Sequence, residues 1–319
     1  MNTAHLRRLV SKTALRRVFV LLVLVSIAVT IRAQGGQLRS AFDRIGPTAI
    51  LLSLLAVLAG LFASSLCWRS LLASLGDELP LRLSTHVFFL GQLGKYLPGS
   101  VFAVGAQAEL ARNHGVQRTR VVTAGLVFLA VLTATGLFVA VALLPFTGPE
   151  VLRAYWWALL ALPPLLGSLV PRVLTRLLEL VLRLTRRPPL DQPLAAGHLG
   201  RGVGWALVMW LLYGMHLVPL VLAQPHNHGP NILLASIGGY ALAWTAGFLF
   251  VIAPAGAGIR EAVLVLALAG LAGRQEALAV ALLSRGVQTA GDLILAGVGA
   301  GLSRTAPLPA AQEPSGPRG

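Results

Sequence analysis

The sequence predicts an all-α polytopic integral membrane protein with about six to eight transmembrane helices and two Pro/Gly-broken re-entrant or discontinuous segments, one in each half. Composition is the first reason: 12% of the 319 residues are charged and 56% are hydrophobic, whereas soluble domains carry roughly 25% charged residues. The mean hydropathy is +0.77, and Cys67 is the only cysteine in the sequence. These values exclude a soluble enzyme, a disulfide-rich secreted module and a disordered regulator.

Apolar runs close to the length that a helix needs to cross the bilayer core, roughly 20 residues, follow one another along the chain. The predicted spans and interrupted regions are residues 18–31, 48–68, 83–104, 121–144, 154–170, 203–222, 232–252, 259–272 and 277–302. We expect one transmembrane domain over residues 1–302 and a disordered, proline-rich tail over residues 303–319. We interpret residues 18–31 as an uncleaved span rather than a signal peptide, because no clean small-x-small cleavage site follows them.

Basic residues indicate the orientation in the membrane, since cytoplasmic loops are enriched in arginine and lysine. Residues 1–17 hold five basic residues and no acid, and residues 172–201 hold six arginines against two acids. Residues 224–231 contain no Lys, Arg, Asp or Glu. We therefore expect the N-terminus and the 172–201 loop on the cytoplasmic side of the cell membrane. The net charge of +15 lies in short bursts between apolar runs, which argues against nucleic-acid binding.

Two Pro/Gly-rich breaks interrupt the apolar runs, one in each half of the chain. The first contains Pro98 and Gly99, and the second contains Pro254, Gly256 and Gly258. Proline removes a backbone donor, and backbone groups freed inside a membrane must be buried in protein or line a wet cavity. Glycine permits a close backbone approach or a positive φ. Paired breaks of this kind point to the substrate site of a transporter, although ordinary proline kinks and extramembrane turns are alternatives.

The second break is followed directly by Arg260 and Glu261, at the predicted start of a helix. The first N–H groups of a helix have no partners within it, and this end carries a partial positive charge. Together with the fixed cation of Arg260, it predicts an anion site suited to a phosphate or a carboxylate. Glu261 is favoured by the same dipole and can pair with a cation elsewhere. The alternative is that both side chains are solvated at the membrane interface.

Two further ionisable residues, Arg285 and Asp292, lie inside the last predicted span. Each would cost roughly 2.5–3.5 kcal/mol if it faced lipid at the helix centre. A spacing of seven residues puts them on one face of the helix but about 10 Å apart along its axis, too far to pair easily. We therefore expect each to have a partner on another helix, with Glu261 a candidate for Arg285. A functional role and a purely structural interhelical pair are both open.

The first break has polar neighbours on both sides. Lys95 and Tyr96 precede it, and Gln107 and Glu109 follow it, so we include these four among the candidate lipid- or anion-binding residues. The sequence contains no Walker motif, no Gly-x-Ser-x-Gly and no His-Glu-x-x-His. We accordingly expect no catalytic residue, no metal site and no cofactor.

The two break motifs carry a family resemblance. Residues 95–99 (Lys-Tyr-Leu-Pro-Gly) and 254–262 (Pro-Ala-Gly-Ala-Gly-Ile-Arg-Glu-Ala) resemble the transmembrane domain of lysylphosphatidylglycerol synthases and the stand-alone flippase-like proteins built from it. The resemblance extends over residues 18–302. It implies lipid translocation between leaflets, of either a phospholipid or a polyprenyl-linked lipid. Two-domain members add a soluble synthase, which this sequence lacks, so aminoacyl transfer by this chain is not expected.

Three functions are therefore under consideration. The first is a lipid flippase or transporter, whose partner is a membrane lipid. The second is a membrane-embedded transferase that uses a lipid-phosphate donor, with Glu261, Asp292 or Glu109 as the general base. The third is a non-transporting partner of a membrane enzyme of lipid or glycan metabolism. Self-association into a homo-oligomer is open in each case.

The orientation can be tested by cysteine labelling. We expect Arg187→Cys, in a Cys67→Ala background, to resist a membrane-impermeant maleimide in intact cells and to react after permeabilisation, because the 172–201 loop is predicted to be cytoplasmic. Strong labelling in intact cells would reverse the predicted orientation.

Overall fold

The computed structural model describes residues 45–96, 102–112, 114–184, 193–224, 231–249, 256 and 258–304. The basic N-terminal segment, the first predicted span and residues 305–319 of the predicted tail lie outside the described residues. The same is true of three predicted site residues, Pro98, Gly99 and Pro254.

Every regular element in the described part of the chain is helical, which confirms the predicted all-α class. The α-helices are α1 (Pro47–Ala73), α2 (Leu81–Gln92), α3 (Phe102–Arg112), α4 (Arg118–Leu143), α5 (Pro149–Tyr155), α6 (Leu162–Ser168), α7 (Pro171–Leu184), α8 (Ala196–Met215), α9 (Leu217–Leu222), α10 (Ile232–Leu249), α11 (Ile259–Ala272) and α12 (Arg274–Arg304). Short 3₁₀ segments occupy Leu93–Tyr96, Leu144–Thr147 and Trp156–Ala161.

Five helices among the described residues are long and apolar enough to cross a membrane. They are Pro47–Ala73, Arg118–Thr147, Ala196–Leu222, Ile232–Leu249 and Arg274–Leu302. A sixth span results if Pro149–Ser168 and Pro171–Leu184, which are bent by 83° relative to each other, act as one. The protein is therefore a multi-pass membrane protein, as predicted.

The region from residue 149 to residue 184 differs from the prediction of one span at 154–170 followed by a loop. Prolines divide it: Pro149 and Pro171 begin α5 and α7, and α6 has a proline in its first turn. Proline lacks an amide donor, so it is tolerated at the first turn of a helix and breaks the interior. The first part of the predicted 172–201 loop is α7, whose Leu174, Leu178 and Leu182 form one buried face with helical spacing.

Helices α2 and α3, which flank the first break in the sequence, pack against each other as an antiparallel pair. A side chain added at Gly91 would meet Gln107, and one added at Gly94 would meet the backbone of Ala103, so the residue numbers of facing positions run in opposite directions. With 12 and 11 residues, these helices are about 18 Å and 17 Å long. Neither is long enough to cross a core of roughly 30 Å alone.

The second break has the same construction, with α10 and α11 as the antiparallel pair. Gly239 of α10 faces Ala267 of α11, and Gly247 faces Arg260 and the backbone of Gly256. The 14 residues of α11 extend for about 21 Å. Both predicted breaks are therefore flanked by helices that fold back on each other, which fits a re-entrant segment. We call the two pairs hairpin 1 (α2–α3) and hairpin 2 (α10–α11).

The remaining long helices pack around the two hairpins. Helix α12 contacts α2, α11 and α1, so it lies between hairpin 1 and hairpin 2. Helix α8 packs along α1 and against α10, and α4 packs against α10 and α3. The fully buried Trp210 of α8 donates from Nε1 to Thr135 Oγ1 of α4 at 2.9 Å, which satisfies the indole inside the bundle.

The two described glycines of the second break have the positive φ expected of them, +69° at Gly256 and +87° at Gly258. A Cβ at Gly256 would also lie 2.9 Å from the Cα of Gly247, whereas a Cβ at Gly258 would have no neighbour within 4 Å. Positive φ at a residue with a side chain costs about 1–3 kcal/mol, and a backbone clash adds to that cost.

We expect Gly256→Ala to destabilise the protein more than Gly258→Ala, because only the first combines strain with a clash. Thermal unfolding of the purified protein in detergent measures both. Gly105→Ala is the matched control, since Gly105 lies within α3 with no atom near its missing Cβ. Equal midpoints for all three variants would contradict the structural account of the break.

Candidate functional site

Hairpin 1 and hairpin 2 meet at a cavity of about 150 Å³ inside the helix bundle. Both hairpins line it, together with α1, α4, α8 and α12. The polar lining residues are Ser64, Gln92, Lys95, Tyr96, Gln107, Tyr213, Arg260, Arg285, Gln288, Thr289 and Asp292. The apolar lining includes Leu61, Phe128, Leu132, Met209, Trp244 and Phe248. The two breaks therefore converge on one partly polar space.

Hairpin 1 is tied to α12 through Asp292. The Asp292 Oδ2 atom lies 2.6 Å from Lys95 Nζ and accepts a 2.6 Å hydrogen bond from the Tyr96 hydroxyl. Lys95 and Tyr96 lie in the 3₁₀ segment that follows α2. Asp292 is buried, with 5% of its surface exposed. The cation and the hydroxyl therefore stabilise its carboxylate at a place where lipid would offer no hydrogen bonds.

Hairpin 2 is tied to α12 through Arg285. Arg285 Nη1 donates to Glu261 Oε1 at 2.6 Å, which confirms the predicted pairing of these residues. The other carboxylate oxygen, Oε2, accepts the Gly258 amide at 2.5 Å, three residues earlier in the chain. Glu261 therefore caps the start of α11 as the acidic member of a capping box does. Glycine has no side chain for the reciprocal bond.

Arg260 points its guanidinium toward neutral partners. Its Nη2 donates to the Tyr240 hydroxyl and, at 3.3 Å, to Gln288 Oε1. The guanidinium carbon lies 4.7 Å from the centre of the Tyr240 ring, a cation–π contact that helps to hold it in place. Among the described residues, no carboxylate oxygen comes within ion-pair distance of Arg260.

The electrostatic balance of the cavity follows from these contacts. Of its three lining cations, Lys95 is paired with Asp292 and Arg285 is paired with Glu261. Arg260 has no such partner in the described part of the chain, so the cavity carries one uncompensated positive charge. Within the same residues, no group of three His, Cys, Asp or Glu side chains is placed to hold a metal ion. The site can thus attract and hydrogen-bond an anion.

The structure brings most of the predicted site residues together. Lys95, Tyr96, Gln107, Gly256, Arg260, Arg285 and Asp292 line the cavity, and Gly258 and Glu261 stand directly beside it at the start of α11. Glu109 is not placed there. It pairs with Arg112 at 2.8 Å and with Arg118 at 3.6 Å in an exposed cluster. Residues two positions apart in a helix point to nearly opposite faces, so Glu109 points away from the cavity that Gln107 lines.

Sequence reasoning missed Gln288 and Tyr240, the two neutral partners of Arg260. A signal for Gln288 was present, because Arg285, Gln288 and Asp292 recur at intervals of three and four in an apolar span. Tyr240 gave no such signal, since a tyrosine in an apolar helix is ordinarily a core residue.

A multi-pass bundle in which two helical hairpins line one partly polar cavity defines an α-helical membrane protein whose two halves share that cavity. The chain belongs to the family described as the lysylphosphatidylglycerol synthase TM region, whose sequence model matches residues 16–296. The match includes both hairpins and every residue that lines the cavity, and it confirms the resemblance seen in the break motifs. A comparison with curated proteins finds no significant match.

The ion pair between Glu261 and Arg285 can be tested with a double-mutant cycle. Both side chains are largely buried, with 9% and 11% exposed, so we expect Glu261→Gln and Arg285→Met each to cost about 3–5 kcal/mol by leaving a buried charge unpaired. The double variant should cost clearly less than the sum of the two. Unfolding in mixed detergent micelles measures the free energies.

The matched control for that cycle is the exposed pair of Glu109 and Arg112, whose side chains are 46% and 47% exposed. Solvent screens this pair, so Glu109→Gln and Arg112→Gln should each change the stability by no more than about 0.5 kcal/mol. Additive effects at Glu261 and Arg285 would show that they do not interact.

Proposed function

We propose that this protein moves a lipid with an anionic headgroup between the two leaflets of the cell membrane. The observation that carries the proposal is the cavity at the meeting point of the two hairpins, with Arg260 as its uncompensated cation. Membership of the lysylphosphatidylglycerol synthase TM-region family supports a role that involves membrane lipids. In transporters, substrate sites lie where broken helices of the two halves meet.

The physical need that such a site meets is the desolvation of the headgroup. A charged group that leaves water for an apolar environment loses its hydration, at a cost far above the stability of a protein unless it is paired and hydrogen-bonded. Arg260, together with the polar lining of the cavity, offers replacement contacts. A volume of about 150 Å³ suits a small polar group rather than acyl chains. We therefore envisage a headgroup in the cavity and acyl chains in the surrounding bilayer.

Orientation and location belong to the same proposal. We propose that the N-terminus and the loop at 172–201 lie on the cytoplasmic side of the cell membrane, because the positive-inside rule favours that side for arginine-rich segments. The exposed charge cluster of Glu109, Arg112 and Arg118 would face the cytoplasm with them.

The contacts of the two buried carboxylates favour transport over the transferase alternative. A general base must be able to take up a proton near the reacting atoms. Asp292 instead accepts from Lys95 and Tyr96, and Glu261 accepts from Arg285 and the Gly258 amide. We therefore propose that the chain binds and moves lipid without group transfer.

A reconstitution assay tests the function. Purified protein is incorporated into vesicles that contain a trace of fluorescent phosphatidylglycerol, and a membrane-impermeant quencher reports how fast the inner-leaflet label reaches the outside. Leaflet transfer supports the proposal. A chemically altered lipid, detected by mass spectrometry, would instead identify a transferase. If neither leaflet transfer nor chemical change occurs, the result would contradict the transport proposal and favour a partner role for the chain.

Arg260 gives the sharpest test of the site. Its guanidinium is a planar and permanently charged donor, which a lysine reproduces poorly. We expect Arg260→Lys to retain part of the transfer rate, Arg260→Gln very little and Arg260→Ala essentially none. A hydrogen bond to a charged group is worth about 1.5–3 kcal/mol, so retention of anionic lipid by the alanine variant should fall roughly ten- to a hundredfold.

Arg82→Ala is the control for this series, because Arg82 is an exposed arginine of α2 outside the cavity. It removes the same charge and should leave the transfer rate unchanged. Wild-type lipid retention by a properly folded Arg260→Ala protein would refute the anion site.

A further inference from the structure

We propose that Gln288 and Arg260 together form a phosphodiester subsite, and that the charge balance of the cavity selects headgroups with a single negative charge. This inference rests on the proposed function and deepens it, because it names the chemical class of the substrate and a residue that determines specificity. It assigns a binding role to Gln288, a neutral residue of α12 that lies between the two ion-paired positions Arg285 and Asp292.

The orientation of the Gln288 amide follows from its contact with Arg260. An arginine side chain can only donate hydrogen bonds, so the atom that faces Arg260 Nη2 at 3.3 Å must be the Gln288 carbonyl oxygen, Oε1. The amide nitrogen, Nε2, is thereby fixed as the opposite end of the group. Gln288 lines the cavity with 6% of its surface exposed. Its Nε2 is buried and donates to no acceptor among the described residues.

An unpaired buried amide donor is unfavourable, and native proteins ordinarily satisfy such groups. Arg260 has unused donors as well, since the hydrogen bonds that it makes to described residues all leave from Nη2. Its Nε–H and its two Nη1–H groups are therefore available to a ligand. The non-bridging oxygens of a phosphodiester can accept from both the guanidinium and the amide.

The position of Arg260 is prepared before any ligand arrives. Tyr240 is fully buried and contacts the guanidinium both through its hydroxyl and through the face of its ring. The Tyr240 ring is itself packed edge-on against the buried His216, at 4.9 Å between centroids. His216 Nε2 lies 2.8 Å from the Ser284 hydroxyl of α12. A cation held in this way loses little conformational freedom when it binds an anion.

The charge of the bound complex then discriminates between headgroups. A phosphodiester carries one negative charge and would neutralise the single uncompensated charge of Arg260. A phosphomonoester carries nearly two at pH 8, since its second pKa is about 6, and would leave an extra negative charge buried among apolar walls. A zwitterionic headgroup carries a cation that the cavity has no free carboxylate to receive, among the described residues. Both mismatches are costly in an environment of low dielectric constant.

Short-chain lipids allow the selectivity to be measured as equilibrium binding to the purified protein in detergent, by calorimetry at pH 8. The probes are dihexanoylphosphatidylglycerol with one charge, dihexanoylphosphatidic acid with nearly two, and zwitterionic dihexanoylphosphatidylcholine. We expect the first to bind at least tenfold more tightly than either of the others. Dimethyl phosphate presents the same phosphodiester without acyl chains, and it should bind far more weakly if the ligand is a lipid headgroup.

Two substitutions separate the roles of the amide and of the charge. Gln288→Met keeps the size but removes the donor and should weaken phosphatidylglycerol binding about five- to tenfold. Gln288→Glu pairs Arg260 with a carboxylate and should abolish the preference for phosphatidylglycerol over phosphatidylcholine. Gln224→Met is the matched control, because Gln224 is equally buried, with 6% exposed, but lies in the turn after α9 and outside the cavity.

Unchanged phosphatidylglycerol binding by Gln288→Met, with Gln224→Met also unchanged, would overturn the role of Gln288. Equal or tighter binding of phosphatidic acid by the wild type would overturn the charge-matching argument. Dimethyl phosphate binding as tightly as the lipid would assign the site to a free phosphate ester. If Gln288→Glu does not fold, Gln288→Met and the wild-type probe series still decide.

The vesicle assay distinguishes failure of this inference from failure of the proposed function. Selective binding without leaflet transfer would refute transport and leave the subsite in place. Leaflet transfer that is indifferent to headgroup charge and to Gln288 would refute the subsite and leave transport in place.

Discussion

The rest of this structure depends on the ion pairs that join two charged residues of α12, Arg285 and Asp292, to the two hairpins. A charged side chain facing lipid at the bilayer centre would cost roughly 2.5–3.5 kcal/mol. Arg285 and Asp292 avoid that cost by binding groups at the ends of two different hairpins, Glu261 in one case and Lys95 with Tyr96 in the other. The position of each hairpin against α12 is therefore fixed by electrostatics as well as by packing.

The two hairpins are alike in construction although their sequences differ. In each, a glycine at or just beyond the end of the first helix lies close to the returning backbone. Gly94, in the 3₁₀ segment after α2, faces Ala103 of α3, and Gly247 of α10 faces Gly256, which precedes α11. Close backbone contact of this kind brings the two helices of each hairpin together. In each hairpin, a charged group beside the break then reaches α12. Because both hairpins pair with the same helix, residues from both halves of the chain line one cavity.

The cavity combines features that strengthen one another. Its apolar walls lower the local dielectric constant, which makes every remaining electrostatic contact stronger than it would be in water. Two of its cations are neutralised by neighbouring carboxylates, so the third, Arg260, dominates the field that a ligand meets. Tyr240 and Gln288 hold that cation with neutral groups and do not cancel its charge. The proposed transfer of an anionic headgroup requires such a balance, because the headgroup must enter and leave the cavity.

The sequence by itself determined the membrane class, most of the spans, both breaks and the pair formed by Glu261 and Arg285. The class and the spans follow from composition and the length of apolar runs, and the breaks follow from the backbone chemistry of proline and glycine. Glu261 is a candidate partner for Arg285 because a buried charge in a span needs an opposite charge on another helix. Only the tertiary structure decided the partners of Asp292, which lie 196 and 197 positions away in the chain. It also placed Glu109 outside the cavity and Gln288 in the cavity lining. Such choices depend on how hairpins and helices pack across the bundle, and no local period encodes that packing.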